Sequence, residues 1–183
     1  IVRLNRGIEC VNSRQNDLGS RTDILYSCMI EAPENAGVLD AESLQKEHLV
    51  KFIVAPPESD IKGKSKTTRL HPMANQNTVN QISQRIPFRI IDHVFHTHLA
   101  SKVNCRPNTG FLAIYDLLRH NPLKLSLYGF SFYLDGFDPD YKSDLKVKQK
   151  DYALKCFNSN RHVQKNMWKY AKDTLLNDSK VFL

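Results

Sequence analysis

Apolar and polar positions divide this chain into short strand-length runs and longer runs with helical spacing. Residues 1–6 read as the end of a strand, 23–28 as a second strand, and 49–55, closed by Pro56-Pro57, as a third. Residues 40–48 and 77–86 have the spacing of helices, and 88–91 read as a short strand. The most strongly patterned stretch is 106–130. Pro107-Asn108-Thr109-Gly110 is a turn cluster with Thr109 placed to cap a helix. Phe111, Leu112, Ile114, Tyr115, Leu117 and Leu118 follow at helical intervals until Asn121-Pro122 stops them. Leu123, Leu125 and Leu127 then alternate with Lys124 and Ser126, and Tyr128-Gly129-Phe130 ends that strand. A last helix is predicted from His162 to Leu176, its core side carried by Met167, Trp168, Ala171, Leu175 and Leu176, and 181–183 read as a closing strand.

Strands alternating with helices predict an α/β fold around a mostly parallel central sheet flanked by helices, within a single Rossmann-like domain spanning 1–183. In such sheets ligands lie beyond the carboxyl ends of the strands. The pattern therefore predicts that Gly129 and the backbone amides near Thr109 and Gly110 meet at one rim of the sheet.

Composition narrows the picture little. The 183 residues are 41% hydrophobic and 25% charged, and no apolar run approaches a membrane span. A net charge of +7 suits an anionic partner, but the basic residues lack the aromatic interleaving of a nucleic-acid groove. The four cysteines, at 10, 28, 105 and 156, form no CxxC pair and show no zinc spacing. His93, His96 and His98 form an isolated HxxHxH read as ordinary helix histidines, and no metal site is expected. The lysine-rich loop 58–71 reads as mobile and solvated.

Two motifs, in order, resemble those of glycosyltransferase family 29, the eukaryotic-type sialyltransferases. Pro107-x-Thr109-Gly110, the Ala113-containing helix and Tyr128-Gly129-Phe130 look like its small sialylmotif. Val2-Arg3-Leu4-Asn5 followed by Asp17-Leu18-Gly19-Ser20-Arg21-Thr22 looks like the second half of its large sialylmotif. The resemblance implies a GT-A variant architecture whose first strand and membrane anchor region lie outside this sequence. It implies metal-independent transfer of sialic acid or a related sugar from a CMP-sugar donor to a glycan or glycoconjugate hydroxyl, in the Golgi lumen, without nucleic acid. Donor contacts are then expected from Asn5, Asn108, Thr109, Gly110, Gly129 and Phe130. Arg21 reads as an ion-pair partner rather than a phosphate contact.

The chain departs from the family in several places. Where the family's third motif reads His-Tyr-aromatic, this chain has Asp140-Tyr141-Lys142, so Tyr141 and Lys142 become donor-site candidates with Lys142 supplying the positive charge. The small-motif cysteine is replaced within Asn121-Pro122-Leu123, so the family's motif disulfide is not expected and a reducing compartment stays open. His162 stands where the very small motif has its histidine, while Met167 takes the place of the following glutamate.

Transfer to a hydroxyl needs a base near the acceptor oxygen, a role suited to histidine, and His162 is the candidate. Two alternatives stand beside this reading. Asp138 and Asp140 form a DxD that suits a divalent cation and a nucleotide-diphosphate sugar. A degenerate module that binds nucleotide or glycan without turnover fits the missing histidine and glutamate.

Overall fold

The computed structural model describes residues 1–11, 14–32, 35–130, 132 and 161–182. They belong to two compact units, one built from the described parts of 1–58 and 67–92, the other from those of 59–66, 93–137 and 147–183.

The first unit is α/β, as the alternation predicts. Strands β1 (Val2–Leu4), β2 (Ile24–Tyr26), β3 (Phe52–Ala55) and β4 (Phe88–Ile90) form a parallel sheet in the order β1-β2-β3-β4. Leu25 stands opposite Ile53, and Ile53 opposite Phe88. The crossovers carry a 3-10 helix (Asn5–Val11), α1 (Gln15–Leu18), α2 (Ala41–Lys46) and α3 (Gln76–Arg85). Leu25, Ile53 and Ala55 pack with Leu44, Val79 and Ile82 in a hydrophobic core. Complete burial of a side chain such as Ile53 or Ile82 is worth about 1.5–3 kcal/mol.

The strands are shorter than the apolar runs for a local reason. At the end of β2 the Met29 N–H turns back to Ser27 Oγ and Met29 takes φ 58°, which stops the strand at Tyr26 although the apolar run continues. Helix α2 is capped by Asp40, whose carboxylate accepts from Ser43 N–H at 2.7 Å. Helix α3 is capped by Asn75 and ends where Ile86, ahead of Pro87, becomes extended.

The second unit contains α4 (His93–Val103), α5 (Thr109–Leu118), β5 (Leu125–Ser126), α6 (Gln164–Leu175) and β6 (Val181–Phe182). Leu99, Val103, Phe111, Ile114, Met167 and Leu175 are all buried. β5 pairs with β6 in a separate two-stranded parallel sheet. Asn5 thus follows a strand of one sheet and Gly129 a strand of another, in place of the single sheet rim the pattern predicts. Pairing partners are chosen by long-range packing, to which a local alternation of residues is blind.

The lysine-rich loop is tied by hydrogen bonds at residues 60–65 and is elsewhere largely exposed. Asp60 Oδ1 accepts the N–H groups of Lys62 and Lys64, both at 2.9 Å, folding residues 60–64 into an Asx-nucleated turn. Ser65 N–H donates to Thr97 Oγ1 at 2.9 Å and Thr97 Oγ1 donates back to the Ser65 carbonyl at 3.1 Å, which ties the turn to α4. No described helix is long and apolar enough to cross a membrane.

Candidate functional site

The link between α4 and α5 carries the most distinctive chemistry of the second unit. Asn104 takes φ 49° after α4, and the chain runs through Cys105, Arg106 and Pro107 to α5. The cap of α5 is Asn108 rather than Thr109: its Oδ1 accepts from Phe111 N–H at 2.8 Å, and Thr109 becomes the first helical residue. The Asn108 Nδ2 donates to Gln164 Oε1 at 3.2 Å in the first turn of α6. Asn166 Nδ2 reaches the Val103 carbonyl at 2.9 Å, so the start of α6 is fastened to this link at two points. With the Asn108 side chain engaged at both ends, the N–H groups of Thr109 and Gly110 are the helix-terminal donors with no partner among the described residues. Open amides at a helix N-terminus form a site suited to an anion.

His162 lies just before α6, which starts at Gln164 rather than at His162 as the sequence predicts. Its Nδ1 is 2.9 Å from the Arg106 carbonyl oxygen. A carbonyl can only accept, so Nδ1 carries the proton and Nε2 keeps its lone pair. Burial pushes the His162 pKa down to about 4; the hydrogen bond to Arg106 opposes this, and the charges of Arg106 and Arg161 and the nearby His96 add to it. The ring is therefore neutral near pH 7, with one fixed tautomer and a basic Nε2 that has no partner among the described residues.

His96 is the second histidine of this region, and no local feature of the sequence separates it from its neighbours. It is 1% exposed, its Nδ1 has no hydrogen-bond partner among the described residues, and burial, with the Arg106 charge, lowers its pKa to about 4 against the effect of the Gly63 carbonyl. Gly63 can approach so closely because it lacks a Cβ: one there would stand 2.7 Å from Ala100 Cβ and 2.8 Å from Arg106 Cα, at φ +84°. Loop and α4–α5 link are thus packed backbone to backbone. Of the HxxHxH residues, His98 is exposed and His93 only partly buried. No metal-holding group of three or more His, Cys, Asp or Glu occurs among the described residues.

Gly129 and Phe130 take a different place in the same unit. They line a cleft of about 250 Å³ with Leu127, Phe132 and Trp168. Gly129 has φ +69° and a Cβ there would touch nothing within 4 Å, so the glycine serves the backbone twist rather than a close approach. Asn108, Thr109, Gly110 and His162 do not line this cleft.

Asn5 belongs to the first unit. Its Oδ1 accepts from Cys28 N–H at 2.9 Å and so joins the ends of β1 and β2, while Nδ2 has no partner among the described residues. Arg21 pairs with Asp23 at 2.8 Å, the ion-pair role expected of it. Arg3 is the residue of that motif the sequence left without a role. Its guanidinium donates to Thr22 Oγ1 at 2.9 Å and to the Leu18, Gly19 and Arg21 carbonyls at 2.7–3.2 Å, which shapes the whole turn. Tyr141, Lys142, Asp138 and Asp140 lie outside the described residues. Cys10, Cys28 and Cys105 form no disulfide among the described residues. Compared with family models, with curated proteins and with solved structures, the chain gives no match.

Proposed function

We propose that this chain is an inverting, metal-independent glycosyltransferase of GT-A variant type that moves a sugar from a CMP-linked donor to a glycan hydroxyl, with His162 as general base. The observation that carries the reading is the hydrogen bond between His162 Nδ1 and the Arg106 carbonyl. It leaves a neutral imidazole held by the carbonyl of Arg106, a residue three positions ahead of Thr109, the first residue of α5. In the reaction Nε2 takes the proton of the acceptor hydroxyl as its oxygen attacks the anomeric carbon. The bond from that carbon to the phosphate oxygen breaks, and CMP leaves with the electron pair. The amides of Thr109 and Gly110 receive the departing phosphate charge. A base with a pKa near 4 is weak, but a bound phosphate brings negative charge to the ring's surroundings and raises it towards neutrality.

The test is CMP release from CMP-sialic acid in the presence of glycan acceptors, with His162→Ala alongside. The expected loss in rate is about 10²-fold or more, the scale of removing a general base, with CMP affinity little changed. Near-normal turnover by His162→Ala removes the assignment. CMP binding without acceptor-dependent release favours the non-catalytic module instead. Binding of UDP that requires manganese favours the Asp138/Asp140 alternative.

A further inference from the structure

The cleft beside Gly129 stands apart from the His162 region and has a chemistry of its own. Its walls are aromatic: Phe132 lies 5.3 Å from Trp168 and 6.2 Å from Phe130, centroid to centroid. Leu127, Ala171 and Leu175, all buried in the unit, complete its apolar lining. The charged side chain that lines it is Lys172, one helical turn beyond Trp168 on α6, and no ion-pair partner of Lys172 occurs among the described residues. At Gly129 a side chain would meet nothing within 4 Å among the described residues.

A sugar ring does not suit these walls. Its hydroxyls need several fixed donors and acceptors, and burying them unpaired costs about 1–3 kcal/mol each. Three aromatic rings and three aliphatic side chains instead favour an apolar body. About 250 Å³ exceeds the roughly 150 Å³ of a dry cavity that holds benzene, which leaves room for a ring or chain several atoms longer. A lysine ammonium at the margin of an apolar cleft favours a negative charge at one end of that body.

We propose that this cleft binds an amphipathic anion: one aryl or medium alkyl group held between Phe130, Phe132 and Trp168, with a carboxylate or similar head at Lys172. The site is independent of the transfer reading, and its test involves no turnover. Trp168 is the chain's one tryptophan, so its fluorescence reports occupancy of this cleft directly. The full chain is titrated with octanoate and with 4-phenylbutyrate, and in parallel with the uncharged octanol.

Saturable change in Trp168 emission is expected with both anions, with octanol roughly three- to fivefold weaker, the scale of a solvent-exposed ion pair. Lys172→Gln should abolish the preference for octanoate over octanol and leave the fold unchanged. Phe130→Ala should weaken every probe. No saturable change with either anion, in a protein with an intact circular dichroism spectrum, overturns the site. Equal affinity for octanoate and octanol in the parent chain, or an unaltered preference in Lys172→Gln, overturns the anionic head.

Discussion

Asn108 shows how much one side chain can carry. Its carbonyl oxygen caps α5 while its amide nitrogen holds Gln164 of α6. Replacing it with alanine removes both, and the cap alone is worth about 0.5–2 kcal/mol. Asn108→Asp keeps an acceptor for Phe111 N–H but loses the donor to Gln164. Urea unfolding should therefore rank stability as parent, then Asn108→Asp, then Asn108→Ala; equal losses for both variants would mean that the cap contributes nothing. Gly63 is the opposite case, where the absence of a side chain matters. Gly63→Ala forces a Cβ to within 2.8 Å of the Arg106 backbone at a positive φ, and the expected cost is about 1–3 kcal/mol, read by the same unfolding curves. The turn before α5 was legible in the sequence, but the choice of capping residue was not, because Asn and Thr both cap well and stand side by side. Nothing local marks Gly63, whose neighbour Arg106 is distant in sequence. His162 was legible by its place ahead of a helix; the carbonyl that fixes its tautomer was not.

At the scale of the element, long periodic segments were read well and short ones were not. In α6 the buried positions Met167, Ala171 and Leu175 recur every fourth residue, which is the signal a helix leaves in a sequence. Leu176, assigned to that core side by its hydrophobicity, is exposed instead, while Trp168 is half-buried and lines the cleft together with Ala171 and Leu175. Met167 is fully buried, and Met167→Ala should cost about 2–5 kcal/mol, the usual toll of truncating a core side chain. Lys169→Ala, on the exposed side of the same helix, should change stability by less than about 0.5 kcal/mol. Thermal unfolding of the two variants checks the orientation of α6, and a similar small effect from both would contradict it. β5 and β6 mark the other extreme. Their alternation predicted strands, but two paired residues apiece hold them in a sheet of their own, and the pairing of Leu125 with Val181 spans a separation that periodicity does not register.

For the molecule as a whole, two imidazoles, one buried and one partly buried, set an acid limit. His96 and His162 both titrate near pH 4 in the folded chain, against an ordinary value of 6.5. Between those values the unfolded chain binds protons that the folded chain refuses, so stability rises with pH across the window. The contribution is fully present above pH 6.5, declines as the pH falls, and is exhausted near pH 4. For His96 the full effect is on the order of 3 kcal/mol; for His162, which is only partly buried, it is smaller. A second process runs in the same direction, because 26 basic residues already exceed 19 acidic ones and acid removes the balancing carboxylates. The two separate by substitution. His96→Gln keeps an amide able to donate to the Gly63 carbonyl and cannot ionise, whereas general charge repulsion is nearly untouched by it. Urea midpoints measured from pH 7.5 down to 4.5 should fall steeply in the parent chain and less steeply in His96→Gln, with the difference confined to the region below pH 6.5. Parallel curves would remove His96 from the account and leave the acid sensitivity to net charge alone.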